Sequence, residues 1–396
     1  MSNLTEAIVI VSAARTPMGS FQGDFSSLAA HDLGACAIRA VVARAGIAPD
    51  LVDEVLFGNV LSAGQGQAPA RQAALKAGLP ISAGAVTLSK ICGSGMRAAM
   101  FAHDMLKAGS ADVLVTGGME SMTNAPYLLQ KGRGGYRIGH DRIFDHMMLD
   151  GLEDAYETGR SMGTFGEDCA ARFGFTREQQ DAYAMASVGR AQNATATGIF
   201  AAEIAPVLVS GRAGDKLIAI DEGPGRIKLD KIPTLKAAFK KDGTITAGSA
   251  SSINDGAAAM VLMRASTAAR LGCQPLAQLV AHAVHAQEPG WFSTAPAGAV
   301  RKVLAKTGWT VAEVDLWEVN EAFAVVAMAL MHDLGLSHDI VNVNGGACAL
   351  GHPIGASGAR IMVTLMYALQ ARGLKKGIAT LCIGGGEATA VALEMA

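Results

Sequence analysis

The chain has 396 residues, half of them apolar, 17% charged and 5% aromatic, with 47 glycines, 18 methionines and a net charge of −2. That length predicts roughly two to three domains with an ample core, and the near-zero charge excludes nucleic acid as a main partner. No apolar run approaches membrane-spanning length (the longest, 322–331, suits a buried helix), and the N-terminus lacks the basic region of a signal peptide.

Residues 7–11 predict a strand, followed by an Arg15-Thr16-Pro17 turn and a helix over 27–45 stopped by Gly46. A strand at 55–57 ends at Gly58-Asn59, a helix covers 68–76, and a strand at 87–91 leads straight into Cys92. The next helix carries Met96, Ala99, Met100, His103 and Leu106 on one face and closes at Gly109. A buried strand at 112–116 then runs into Gly117-Gly118. Strands alternating with helices predict an α/β protein with helices on both faces of its sheet.

The C-terminal part passes through the same series: a strand at 276–281, a helix over 297–306 stopped by Gly308, and a strand at 315–319 ending at Asn320. Ser357-Gly358-Ala359-Arg360 opens a helix as Ser94-Gly95-Met96-Arg97 does, and the strand at 378–382 runs into Gly384-Gly385-Gly386. Offsets of 262, 261 and 263 residues separate Gly46 from Gly308, Asn59 from Asn320 and Ser94 from Ser357. Near-constant offsets predict a duplicated α/β half. The first copy spans 1–120 and is completed by 249–272; the second spans 273–396; residues 121–248 are an insertion. The insertion has Gly-rich loops, a helix from Thr176 with a Thr-x-x-Gln capping box, and eight basic against four acidic residues between Arg212 and Lys241. That cationic stretch suits a phosphorylated ligand, or is an ordinary solvated surface.

Four stretches look chemical rather than structural. Cys92-Gly93-Ser94-Gly95 places a thiol at a helix N-terminus, where unpaired N–H groups lower a thiol's pKa; the residue is either a nucleophile or a buried structural cysteine. Asn320-Glu321 closes a buried strand, Gly351-His352-Pro353 sits in a long glycine-rich loop, and Cys382 precedes three glycines. The duplication puts these strand ends on one rim, which makes His352 a candidate base between two thiols. Gly93-x-Gly95-x-x-Ala98 mimics a dinucleotide fingerprint, but the acid that should end the second strand, Asp112, begins its strand instead. The six cysteines form no CxxC pair and read as free thiols of a reducing, cytoplasmic compartment; the nine histidines form no ligand cluster, so no metal is expected.

Taken in order, these four motifs and the insertion closely resemble the thiolase family over essentially the whole chain, most of all its short-chain, acetoacetyl-CoA members. The resemblance implies a layered αβαβα core with an inserted CoA-binding loop domain. It implies reversible Claisen condensation of two acetyl-CoA through an acetyl-Cys92 intermediate. A degradative thiolase with longer or 2-methyl-branched substrates is the alternative. It assigns His352 as the base for Cys92 and Cys382 as the carbon acid/base. One oxyanion falls to the N–H groups of Cys92 and Gly384, the other to His352 and a water held by Asn320. Arg226, Ser251, Met162, Ala322 and Phe323 match coenzyme A contacts. Coenzyme A and acetyl-CoA are then substrates, no cofactor is permanently bound, and a homodimer or homotetramer is implied. The chain departs from the family pattern at Ser89, Ser161, Ser249, Ser252 and Glu387, and Ser161 bears on acyl-chain preference.

Overall fold

The computed structural model describes residues 6–212 and 214–396. The first half is built from β1 (Ile8–Arg15), α1 (Ala30–Ala45), β2 (Glu54–Gly58), α2 (Pro69–Lys76), β3 (Gly84–Leu88), α3 (Ser94–Ala108), β4 (Val113–Ser121) and β5 (Asn254–Arg264). Between β4 and β5 lie α4 (Met162–Phe173), α5 (Arg177–Ala196) and short irregular segments. The second half comprises β6 (Ala277–Ala286), α6 (Ala295–Thr307), β7 (Leu316–Val319), α7 (Ala324–Leu334), α8 (Ile354–Arg372), β8 (Lys376–Ile383) and β9 (Glu387–Met395).

The strands follow one hydrogen-bonded path, β7-β8-β9-β6-β1-β5-β4-β2-β3. The order β1-β5-β4-β2 thus recurs as β6-β9-β8-β7, with the same antiparallel, antiparallel, parallel pairings. Even the bulges repeat: the register slips between Ile10 and Ser12 in β1 and between Leu279 and Ala281 in β6. The counterpart of β3 has shrunk to a single parallel bridge, Trp317 to Val341. Among the described residues the half-sheets meet at two residue pairs, Val9–Gln278 and Ile10–Ala277.

Alternation along β1 shows why five layers form. Ile8 and Ile10 face an inner core shared with α3, α8 and strands of both halves, while Val9 and Val11 face an outer core with α1 and α2. A third core packs α6 and α7 on the far side of β6–β9. The layers are therefore α1/α2, sheet, α3/α8, sheet, α6/α7, which is the expected αβαβα arrangement. In the middle layer α3 and α8 cross at glycines. A Cβ on Gly95 would stand 2.9 Å from the Ala359 nitrogen, and one on Gly358 would stand 2.5 Å from the Met96 nitrogen. The paired Ser-Gly steps seen in the sequence are this crossing point, viewed from each half.

Several sequence expectations shift. The strand before Cys92 stops at Leu88, because the chain turns through a left-handed Ile91 (φ 45°). β4 does not end at Gly117-Gly118 but continues to Ser121; the glycines serve close packing, since a Cβ on Gly118 would meet the Gly355 carbonyl oxygen at 2.0 Å. α8 opens at Ile354, three residues before Ser357, with Pro353 as its N-cap. α1 starts at Ala30, and α4, which precedes the expected capping-box helix α5, was not foreseen. No described helix is long and apolar enough to cross a membrane.

Candidate active site

The Cys92 turn is wound by one serine. The Ser94 hydroxyl donates to the Ile91 carbonyl (2.6 Å) and accepts from the Lys90 N–H (2.8 Å), while the Gly93 N–H donates to the Lys90 carbonyl (3.0 Å). A β-branched residue at positive φ is a strained placement, and it precedes Cys92, a half-buried residue that lines the inner cavity. Opposite stands the three-glycine turn between β8 and β9, whose Gly384 N–H donates to Cys92 Sγ. Cys382, the second-last residue of β8, is buried directly beneath.

His352 enters from the loop before α8, buried and held at both ring nitrogens. The Ser357 hydroxyl donates to the Pro353 carbonyl (2.9 Å), so it accepts from His352 Nδ1–H at 2.5 Å. That fixes the tautomer and leaves Nε2 as the acceptor, facing Asn320 Nδ2 at 3.4 Å. Asn320 Oδ1 is buried without a partner among the described residues, an orphan acceptor beside the imidazole that suits a water. Sequence reasoning read Ser357 only as a helix opener; its five-residue spacing from His352 across Pro353 is the signal for its second role.

Two buried carboxylates hold the surrounding loops. Glu120 accepts from the N–H groups of Val60, Leu61 and Gly355 and from Asn59 Nδ2, tying the start of α8 to the first half. Burial pushes its pKa up to about 7. Glu321 accepts from Tyr183, Ser187, Asn342 Nδ2 and the Cys348 N–H, tying α5 of the insertion to the loop before His352.

Cys92, His352, Cys382 and Gly384 line one small cavity of about 60 Å³, together with Ser251, Met162, Ala322 and Phe323. A second cavity of about 250 Å³ shares Met162, Ser251, Phe323 and His352 and runs outward past Ser161 and Phe239. Asn320 reaches the site through His352. Arg226 does not line either cavity. It is exposed at the end of the short helix Glu222–Arg226, paired with Glu222, and that helix packs against Ala349 just before the His352 loop. Phe292 and Leu152 also line the inner cavity and come from segments with no motif to betray them; Ile354 lines it too, directly after the Gly351-His352-Pro353 motif but outside it.

The electrostatics correct one expectation. Cys92 is not acidified by the helix N-terminus: burial pushes its pKa up to about 11, against the lowering effect of the Gly384 and Cys92 N–H groups. Burial and the neighbouring Cys92 hold Cys382 well above the ordinary thiol range. Burial, helped by Arg360, pulls His352 down to about 3, so its imidazole is neutral. The resting pocket is uncharged and largely apolar, with two thiols, one acceptor nitrogen and turn amides converging. Such a site can carry an acyl group on sulfur and move protons over short distances.

This fold and pocket are those of an enzyme of the thiolase family, to which the chain belongs: the description "Thiolase, N-terminal domain" matches residues 8–266 and "Thiolase, C-terminal domain" matches 273–395. Among its relatives, the acetyl-CoA acetyltransferase of Rhizobium meliloti is 50% identical, covering 100% of both chains. That of Allochromatium vinosum is 48% identical over 99% of this chain and 100% of its own. The crystal structure of the Bacillus anthracis acetyl-CoA acetyltransferase superposes with a TM-score of 0.97 at 39% identity, covering 100% of both chains.

Proposed function

We propose that the protein is an acetyl-CoA C-acetyltransferase that joins two acetyl-CoA into acetoacetyl-CoA and free CoA, reversibly, through acetyl-Cys92. The observation that carries this is the single cavity containing both thiols, the imidazole and the Gly384 N–H. In the first half-reaction Cys92 Sγ attacks the thioester carbonyl and its proton passes to His352 Nε2. CoA leaves as a thiolate, takes the Cys382 proton and departs. In the second, the Cys382 thiolate removes a methyl proton from a new acetyl-CoA, and the carbanion attacks the acetyl carbonyl. Cys92 is expelled and recovers its proton from His352. Cys382 suits this task because a thiol held far above its usual range forms a strong base once ionised.

One oxyanion meets the Cys92 and Gly384 N–H groups, the other His352 and a water on the orphan oxygen of Asn320. We assign the outer cavity, with Ser251, Met162 and Phe323, and Ala322 of the adjoining inner cavity to the pantetheine arm, and the insertion around Arg226 to the nucleotide end. The small inner volume and the names of the relatives favour acetyl over longer or branched acyl groups. Six unpaired thiols support a cytoplasmic setting, and joining acyl groups carried on coenzyme A suits a role in fatty-acid metabolism. The uncovered edge of β3, with Val86 exposed, supports a homodimer or homotetramer.

Cys382→Ser tests the division of labour. It retains Cys92, His352 and both amide donors, and a CoA thiolate can leave and take its proton from water when Cys382 is absent, so labelled CoA should still exchange into acetyl-CoA. Acetoacetyl-CoA should not form, because a serine hydroxyl supplies no comparable base near neutral pH. Loss of exchange as complete as in Cys92→Ser, in a variant that melts like the wild type, would overturn the assignment.

A further inference from the structure

Resting on the acyl-transfer reading above, we infer that the Lys90–Glu387 ion pair is a positioning latch that holds the two loops of the Cys92 oxyanion hole in register. Lys90 precedes Cys92 by two residues, and Glu387 follows Gly384 by three. Their side chains pair across the gap between the nucleophile turn and the glycine turn. With the two side chains only 21% and 34% exposed, the pair is shielded from salt more than a surface pair is.

The need for such a pin follows from the loops themselves. The donors at Cys92 and Gly384 come from different halves of the molecule, and no secondary structure pairs one turn with the other. The first turn is strained at Ile91 (φ 45°), a conformation that persists only where the surroundings hold it. The second is three consecutive glycines, two of them at positive φ (91° and 86°), with little side-chain bulk to fix it. Its outer side is secured: the Gln287 N–H donates to the Gly386 carbonyl, and a Cβ on Gly386 would meet the Gln287 oxygen at 2.4 Å. Its inner side touches the nucleophile turn closely, where Ile383 Cδ1 lies 2.3 Å from the place of a Cβ on Gly93. Beyond that contact and the Gly384 N–H to Cys92 Sγ bond, the ion pair is the charged link between the turns among the described residues. Lys90 is itself fixed, because its N–H is bonded to the Ser94 hydroxyl that winds the turn. Glu387 is fixed as the first residue of β9, paired to both Ile383 and Ala286. Each end of the latch is therefore anchored to the backbone of the loop it must hold. Neither residue touches the reacting atoms; both act through Cys92 and Gly384.

The experiment compares Glu387→Gln, Lys90→Gln and the exchanged pair Lys90→Glu/Glu387→Lys with the wild type. It reads the CoA exchange rate, the iodoacetamide rate at Cys92 against pH, and the melting temperature. Each single variant should lose about tenfold in kcat for exchange while KM stays within about twofold, since misplacement near 1 Å costs up to about 100-fold. Alkylation of Cys92 at fixed pH should slow several-fold as the Gly384 N–H drifts from the sulfur. The exchanged pair should return to within about threefold of the wild type on both readouts, and it serves alone should a single variant fail to fold. Single variants that keep both rates within twofold, or an exchanged pair no better than the singles, overturn the latch. A wild type that neither exchanges CoA nor forms acetyl-Cys92 overturns the acyl-transfer reading instead, and the alkylation profile still decides the latch.

Discussion

In the empty pocket Cys92 is a thiol and His352 a neutral imidazole, and this can be measured directly. With the thiol near 11 and the imidazole near 3, moving the proton between them without substrate costs on the order of 10 kcal/mol. The thiolate fraction at pH 7 is then about 10⁻⁴. Alkylation of Cys92 by iodoacetamide, followed by peptide mass mapping, should therefore rise about tenfold per pH unit from pH 7 to 10. Replacing His352 by Ala should change that rate in the free enzyme by less than about threefold, since a neutral imidazole stabilises no thiolate there. The same substitution should cost CoA exchange roughly 10²–10⁴-fold, because the base and an oxyanion donor act only once a thioester is bound. Selectivity for Cys92 thus comes from geometry rather than from a standing ion pair. An alkylation rate that is flat between pH 5 and 8, or one that collapses in His352→Ala, would show a preformed thiolate–imidazolium pair and refute this account.

Much of this arrangement was legible in the sequence because the duplication made it so. Gly46 and Gly308, or Gly109 and Gly373, end helices in the left-handed conformation that glycine adopts freely, so the repeats mark themselves. Once the halves were aligned, the strand ends bearing Cys92, Asn320 and Cys382 had to share a rim. What the sequence hid were effects of burial and of contacts between distant segments. A cysteine beside a helix start reads as acidified, yet desolvation reverses the sign at Cys92, and local sequence does not report desolvation. The roles of Glu120 and Glu321 were equally hidden, since partners such as Gly355 of α8 and Tyr183 of α5 lie far along the chain from them. Gly117-Gly118 read as punctuation, whereas the strand continues; Gly118 admits α8 and Gly117 admits the Ala258 carbonyl of β5 and the Phe57 ring, tertiary demands on a residue that usually marks a turn. Ile91 gave no signal at all, because nothing in the residue's own preferences predicts its left-handed backbone.

Arg226→Glu should weaken CoA thioesters and leave pantetheine thioesters nearly untouched, with the loss shrinking as salt rises over a screening length of roughly 8–10 Å. Equal damage to both substrate types would remove Arg226, which already pairs with Glu222 outside the cavities, from the nucleotide end. His352→Gln reports on the burial of the imidazole through acid stability. The folded pKa, about 3, lies below the ordinary 6.5, so the unfolded chain takes up this proton first as pH falls. The stabilising contribution is intact above pH 6.5 and is lost as pH drops toward 3, at up to about 1.4 kcal/mol per pH unit. Glutamine has no proton to gain and keeps an amide that can serve Ser357 or Asn320. Urea unfolding at pH 7, 6 and 5 should therefore show the wild type losing its advantage over the variant progressively below pH 6.5, by about 1 kcal/mol or more per unit once well below that value. Parallel stability curves would mean that His352 takes up its proton at the same pH in the folded and unfolded chain. The depression of the His352 pKa by burial would then be wrong, and with it the full size of the proton-transfer cost from Cys92.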